Sequence, residues 1–282
     1  MNILETIIAS KQEEVKRRKA AVSVQELERQ PLFARQPLSA RRALTAPAST
    51  GIIAEFKRKS PSKGIINAEA TVAETTSGYV KAGAACLSVL TDESFFGGTS
   101  ADLLAARAAN PATPIIRKEF IIDTYQLVEA RALGADFVLL IAACLSPAQV
   151  AELSQFAHAL GMEVLLEIHD ETELGHIQPA VDLVGVNNRN LKTFVTDLET
   201  SLRLADHIPA DYVKVSESGL QHAESILNLR RVGYQGFLIG ETFMKASSPA
   251  AALQTFVDEL SFPPNFPSQN TVYHESESMR NA

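Results

Sequence analysis

The sequence has little cysteine, no long apolar run and no excess of positive charge. Cysteine occurs only at Cys86 and Cys144 among 282 residues, each inside an apolar segment ("AACLSVL", "DFVLLIAACL"). Two isolated cysteines make neither a disulfide framework nor a zinc site, so both read as small core hydrophobes. No apolar run reaches the roughly 18 residues that a membrane span needs. The opening "MNILETIIASKQEEVKRRKA" has acidic residues inside its apolar part and its basic cluster on the wrong side for a secretory signal. A formal net charge of -7 argues against a general nucleic-acid binder, which needs a basic surface to displace counterions. These absences describe a reduced, cytoplasmic protein with neither membrane nor nucleic acid among its partners. A small anionic ligand stays open, since it needs only a local cluster of cations.

What is present is a rhythm of short apolar runs bounded by turn signals. Eight recur: "GIIAEF" (51–56), "AACLSVL" (84–90), "PIIRKEF" (114–120), "DFVLLIA" (136–142), "EVLLEIH" (163–169), "DLVGVN" (182–187), "YVKVSES" (212–218) and "GFLIG" (236–240). Their Val, Ile and Leu content suits strands covered on both faces. Helical patterns fall between them, among them "DTYQLVEARALG" and "SPAQVAELSQFAHALG". Gly83, Gly134 and Gly161 close three of these patterns where a helix turns back into a sheet. Ser146-Pro147 supplies an N-cap and a first-turn proline. Strands alternating with helices eight times predict a single parallel (β/α)8 TIM barrel over residues 51–261. An open doubly wound sheet is the alternative, but it normally carries a Gly-rich phosphate turn after its first strand. Here that turn is the cationic "KRKSPSKG".

Residues 1–50 read as an N-terminal helical extension, one long amphipathic helix and a shorter one. They fit either the bottom of the barrel or its catalytic face. Residues 262–282 are polar, Pro-bearing and aperiodic, which predicts a disordered tail.

The chemistry gathers at strand ends. A parallel barrel keeps its active site at the C-terminal ends of its strands, and residues two apart on a strand share a face. Glu55 and Lys57 share one at the end of the first run, with Phe56 and Arg58 on the other. Lys118 ends the third run, Glu167 the fifth, Asn187 and Arg189 the sixth, Glu217 and Ser218 the seventh. A solvated strand end explains one such group; five after apolar strands point to a site. Arg58, Lys59 and Lys63 read equally well as plain surface charges. "SESG" and "IGET", after the seventh and eighth runs, suit a phosphate cradle of backbone N–H groups, with Gly219 and Gly240 allowing close approach. His169 shares a face with Glu167, but no third ligand is evident, so no metal site is expected.

The segments "IIAEFKRKSPSKG", "LSVLTDESFFGGT", "IIRKEFIIDTYQLVEARALGAD", "LLEIHDETEL", "VGVNNRNLKTF" and "VSESGL", in this order, closely resemble the indole-3-glycerol-phosphate synthase family. The resemblance covers about residues 1–260. It implies decarboxylating and dehydrating ring closure of a carboxyphenylamino-deoxyribulose 5-phosphate, with no metal or organic cofactor. It implies Lys118 as general acid and Lys57 as the cationic partner of the substrate carboxylate. Glu167 falls in the acid–base step, with Glu55 tuning Lys57 or sharing the work. Asn187, Arg189 and Glu217 orient substrate and catalytic groups, and Ser60, Ser218, Gly219 and Gly240 form the phosphate cradle. Phe96, Phe120 and Ile121 are candidates for an apolar wall against the aromatic ring. Glu241 stands where some members carry Ser; its backbone N–H is then the part used, with the side chain turned away. Members of the family it resembles are often monomeric or fused to the isomerase; no isomerase segment follows here, which predicts a monofunctional monomer, with other tryptophan-pathway enzymes as the candidate partners.

Two other readings compete. Phosphoribosylanthranilate isomerase, another phosphate-binding barrel, uses a Cys ending the first strand and an Asp ending the sixth. Here those places hold Glu55 or Lys57, and Asn187. A non-catalytic phosphate-binding barrel would have no need of both lysines and both glutamates.

Overall fold

The computed structural model describes residues 3–191 and 193–261. The tail expected over 262–282 lies outside the described residues. Eight parallel strands close into a barrel. They are β1 (Ile52–Phe56), β2 (Cys86–Leu90), β3 (Ile115–Lys118), β4 (Phe137–Ile141), β5 (Glu163–Ile168), β6 (Leu183–Asn187), β7 (Val213–Glu217) and β8 (Tyr234–Ile239). Each strand pairs with the next, and β8 closes on β1 with Ile52 opposite Phe237. This is the TIM barrel that the alternation predicts. All eight runs form strands, but β8 starts at Tyr234 rather than Gly236, with a register shift against β7 between the two. The glycine that reads as a boundary is a bulge inside the strand.

Strand alternation sorts the apolar residues into two cores. Ile53, Ile116, Leu139, Leu165, Val215 and Leu238 point into the barrel. Ile52, Ala54, Phe56, Leu87, Val138 and Leu140 point outward, against the surrounding helices. Those helices end as the sequence indicates. Gly83, Gly134 and Gly161 follow the last turn at φ of 99°, 84° and 78°, a conformation a side chain would resist. Ser146 forms a capping box with Gln149, with proline in the first turn.

The N-terminal extension holds α1 (Ile3–Ala21), α2 (Val24–Glu28) and α3 (Ala40–Thr45). Of the two positions left open for it, the extension takes both. Ile3, Leu4 and Ile7 of α1 line a pocket at the C-terminal ends of the strands. At the opposite end Ala40 and Leu44 of α3 are buried within the barrel-interior core. Ser39 Oγ and the Arg41 N–H donate to Glu163, the first residue of β5, at 2.5 and 2.9 Å. The six-residue α3 was not foreseen; it is too short to show periodicity. Among the described residues, no helix is long and apolar enough to cross a membrane.

Candidate active site

On β1, β3, β5 and β7 the inward parity carries an apolar residue and then, two positions on, a polar one. Ile53 is followed by Glu55 and Lys57, Ile116 by Lys118, Leu165 by Glu167, and Val215 by Glu217. The inner core therefore ends in a polar layer. These residues and Asn187 line one pocket.

Within that layer every cation has a carboxylate. Lys118 Nζ lies 2.7 Å from Glu217 Oε2 and 3.1 Å from Glu167 Oε2. Asn187 Nδ2 donates to Glu167 Oε1 at 3.1 Å, and its Oδ1 accepts the Arg189 backbone N–H at 3.0 Å. Lys57 Nζ sits 2.5 Å from Glu55 Oε1, and Ser88 donates to the other Glu55 oxygen at 3.4 Å. Two glycines make room for the carboxylates. A Cβ on Gly185 would lie 2.3 Å from Glu217 Oε1, and one on Gly240 would lie 2.5 Å from Glu55 Oε1. Gly240, expected only to admit a phosphate, first of all admits Glu55.

The two partners of Lys118 differ in acidity. Burial raises the Glu217 pKa, Lys118 offsets only part of that, and the Glu167 charge adds to the rise, leaving it at about 7. Glu167 is buried too, but Lys118, His169 and Asn187 together hold it well below the usual carboxylate range. Burial would lower Lys118; Glu217, Glu167 and Glu55 outweigh it and keep the ammonium above the ordinary lysine range.

Around this charged floor are an apolar wall and a cationic chamber. Phe96 and Phe120 face each other with ring centroids 6.0 Å apart, beside Ile3, Leu4 and Ile7 of α1. Ser60 lies on this side, its hydroxyl buried and without a protein hydrogen bond. Ile121 does not join the wall. It packs in the outer core, because it has the parity of Glu119 rather than of Phe120. The adjoining chamber holds Ser218, Gly219, Gly240, Arg189, Ser62 and Lys63. Ser218 and Gly219 turn the chain sharply after β7 with φ of 68° and 79°, and the short helix Glu241–Met244 starts at Gly240. The cradle expected to include Ser60 does not: of residues 57–64, Lys57, Ser62 and Lys63 line this chamber.

Two side chains depart from expectation. The Glu241 carboxylate does not turn away: it lies 3.3 Å from Arg189 Nη2 and 3.9 Å from Lys63 Nζ. Arg58 is no plain surface charge. It faces outward as its parity requires, but it bonds both oxygens of Asp102 at 2.7 and 2.9 Å and stacks over Phe56. Lys11 escaped the sequence reading altogether. It occupies a buried position of α1 in the row Ile7, Lys11, Val15, with Nζ within 3.1 Å of Glu14, Asp92 and Glu119. A lysine in the apolar row of an amphipathic helix was the available signal.

Fold and site together define a TIM-barrel enzyme of the acid–base class, with a cationic chamber beside its charged floor. Among the described residues, no group of three or more His, Cys, Asp and Glu is placed to hold a metal ion. The model of the family described as indole-3-glycerol phosphate synthase matches residues 4–256, and the chain belongs to that family. A protein of Bacteroides thetaiotaomicron named indole-3-glycerol phosphate synthase is 52% identical over 259 residues, spanning 92% of this chain and 99% of its own length. One of the same name from Polaromonas naphthalenivorans is 43% identical over 262 residues, with 92% and 99% covered. Among solved structures, 3-hexulose-6-phosphate synthase from Salmonella typhimurium has a TM-score of 0.60 at 12% identity, over 75% of this chain and 98% of that one. Thiamine phosphate pyrophosphorylase from Pyrococcus furiosus has a TM-score of 0.58 at 12% identity, over 79% and 98%. These two likenesses speak for the barrel alone.

Proposed function

We infer that this chain is an indole-3-glycerol-phosphate synthase, closing 1-(2-carboxyphenylamino)-1-deoxyribulose 5-phosphate to indole-3-glycerol phosphate with loss of carbon dioxide and water. The phosphate enters the chamber of Ser218, Gly219 and Gly240, beside Arg189. The aromatic ring lies against Phe96 and Phe120, and its carboxylate pairs with Lys57. The substrate ketone then meets Lys118. The ring carbon bearing the carboxylate attacks the ketone carbon while Lys118 gives a proton to the ketone oxygen. Carbon dioxide leaves, the aromatic ring is restored, and a hydroxyl remains on the new five-membered ring. That hydroxyl departs as water with one more proton transfer, and the neighbouring carbon gives up a proton to a carboxylate. Glu217, with its pKa near the working pH, suits a group that gains and loses protons. We assign the enzyme to the cytoplasm, acting as a monomer on a small phosphorylated substrate without a cofactor.

The observation that carries this reading is the Lys118 ammonium, held by Glu217 and Glu167 between the apolar wall and the cationic chamber. The test is ring closure followed by indole fluorescence, which the chain does not obscure because it has no tryptophan. Lys118→Met should lower kcat/KM by on the order of 10²–10⁴ while the fold is kept. Near wild-type turnover would sink the assignment. The isomerase reading finds little support, since Cys86 opens β2 at full burial and Asn187 stands where its aspartate would be.

A further inference from the structure

His169 directly follows β5 and has no part in the mechanism above. Its ring is nearly buried, with 12% of the side chain exposed. Nε2 lies 3.3 Å from Glu167 Oε1, and Nδ1 lies 3.2 Å from Glu173 Oε2. Glu173, in the 3-10 turn Glu171–His176, also accepts the His169 backbone N–H at 2.7 Å. The carboxylate is thus fixed by the main chain before the ring is placed against it.

A neutral imidazole has one N–H and one lone pair. Between two carboxylates it would turn that lone pair on an anion. Nε2 makes no aligned hydrogen bond to Glu167, but at 3.3 Å only a positively charged ring is attracted to both carboxylates. The other groups around it agree. Cys144, from the loop after β4, is kept neutral by burial and by Glu167 and Glu173, its thiol pushed up to about 12. Lys118 on β3 and Asn187 on β6 reach His169 only through Glu167. Burial would lower the His169 pKa, but Glu167 and Glu173 raise it to about 10.

We propose that His169, oriented by Glu173, is a positioning residue that keeps Glu167 an anion throughout the reaction and leaves Glu217 as the partner of Lys118 that changes protonation. The inference rests on the reading of Lys118, Glu167 and Glu217 as the acid–base group. It explains how two carboxylates on one ammonium come to differ. Glu167 has a second cation and an amide donor, whereas Glu217 Oε1 is buried without a hydrogen bond. Environments that push two titratable groups apart assign the fixed charge to one and the mobile proton to the other.

The test has two arms on the full chain. In the first, the His169 imidazole is followed by NMR from pH 5 to 10, assigned by its loss in His169→Gln. It should stay charged through pH 8.5, and Glu173→Gln should bring its midpoint down by a unit or more. Titration near 6.5 in the wild type would overturn the proposal. In the second arm, kcat/KM is measured against pH. His169→Gln keeps a donor but not the charge, so its acid limb should move up by a unit or more, with activity recovering at high pH. A profile lowered by one factor at every pH would mean a merely structural role and would also overturn the proposal. A wild type without ring closure would sink the functional reading instead, and the NMR arm would still decide the charge of His169.

Discussion

Glu217 is a carboxylate that the fold keeps at a cost, and the cost depends on pH. Its folded pKa, at about 7, is raised from the ordinary 4.5. A group of that kind contributes stability that is fully present below the unfolded value and is lost as the pH rises through the folded one. Glu217→Gln should therefore gain melting temperature over the wild type at pH 8, and the gain should vanish at pH 5. It should also remove the limb near pH 7 from the profile of kcat/KM. Melts at both pH values decide the first point, and equal shifts at both would contradict it. Gly185 probes the same carboxylate sterically. Its φ is not in the left-handed region, so Gly185→Ala meets chiefly the Glu217 oxygen, 2.3 Å from the added carbon, with Leu165 Cδ1 next at 3.2 Å. Displacing a catalytic group by about 1 Å can cost on the order of 10² in rate. The expected variant folds like the wild type, by circular dichroism, and loses kcat to that degree. Full activity would mean that Glu217 can work from elsewhere.

At the scale of elements, strand parity was the readable part. Alternation alone places Glu55, Lys57, Lys118, Glu167 and Glu217 on the inside and Phe56 on the outside, because a strand has a period of two whatever surrounds it. Contacts between elements were not readable. That Gly185 yields to Glu217 and Gly240 to Glu55 depends on register between neighbouring strands, and the Arg58–Asp102 pair joins residues 44 positions apart. Ile121 failed because the loop after β3 keeps strand parity, which an apolar residue beside Phe120 does not reveal. The α1 helix carries a consequence of the same kind. Lys11 holds Asp92, which accepts the Phe95 and Phe96 N–H groups, and Glu119, which accepts the Phe120 N–H. One buried ammonium thus braces the chain behind both rings of the apolar wall. Lys11→Met would leave buried carboxylates short of their partner, a loss worth about 3–5 kcal/mol in comparable buried pairs. The prediction is a lower melting temperature and a KM raised more than kcat falls, since the wall binds the ring but moves no proton. A drop in kcat at unchanged KM would refute the bracing role.

For the whole molecule, the first 50 residues do two different jobs at opposite ends of one barrel, and they can be separated. At the mouth, α1 adds Ile3, Leu4 and Ile7 to the pocket and the Lys11 ion pairs. At the bottom, Ala40 and Leu44 belong to the barrel's own interior core. The segment before them donates the Leu38 N–H and the Arg35 guanidinium to the buried Asp136. Deleting residues 1–22 strips only the mouth. Asp92 and Glu119 then meet water rather than an empty buried site, so the barrel should still fold, with KM raised about tenfold or more as the wall loses its cover. Deleting residues 1–50 opens the inner core as well. The burial lost with Leu44 alone is worth about 1.5–3 kcal/mol. Asp136 also loses two donors, each hydrogen bond to a charged group being worth about 1.5–3 kcal/mol. Against a total stability of about 5–15 kcal/mol, losses of that size leave little. The longer deletion should give aggregated or unfolded protein at 37 °C, where the shorter gives a folded, weakly binding enzyme. Melting curves and KM for the two truncations decide it. A longer truncation that melts like the full chain would show that α3 merely covers the barrel bottom, and an unfolded shorter one would show that α1 holds the barrel together.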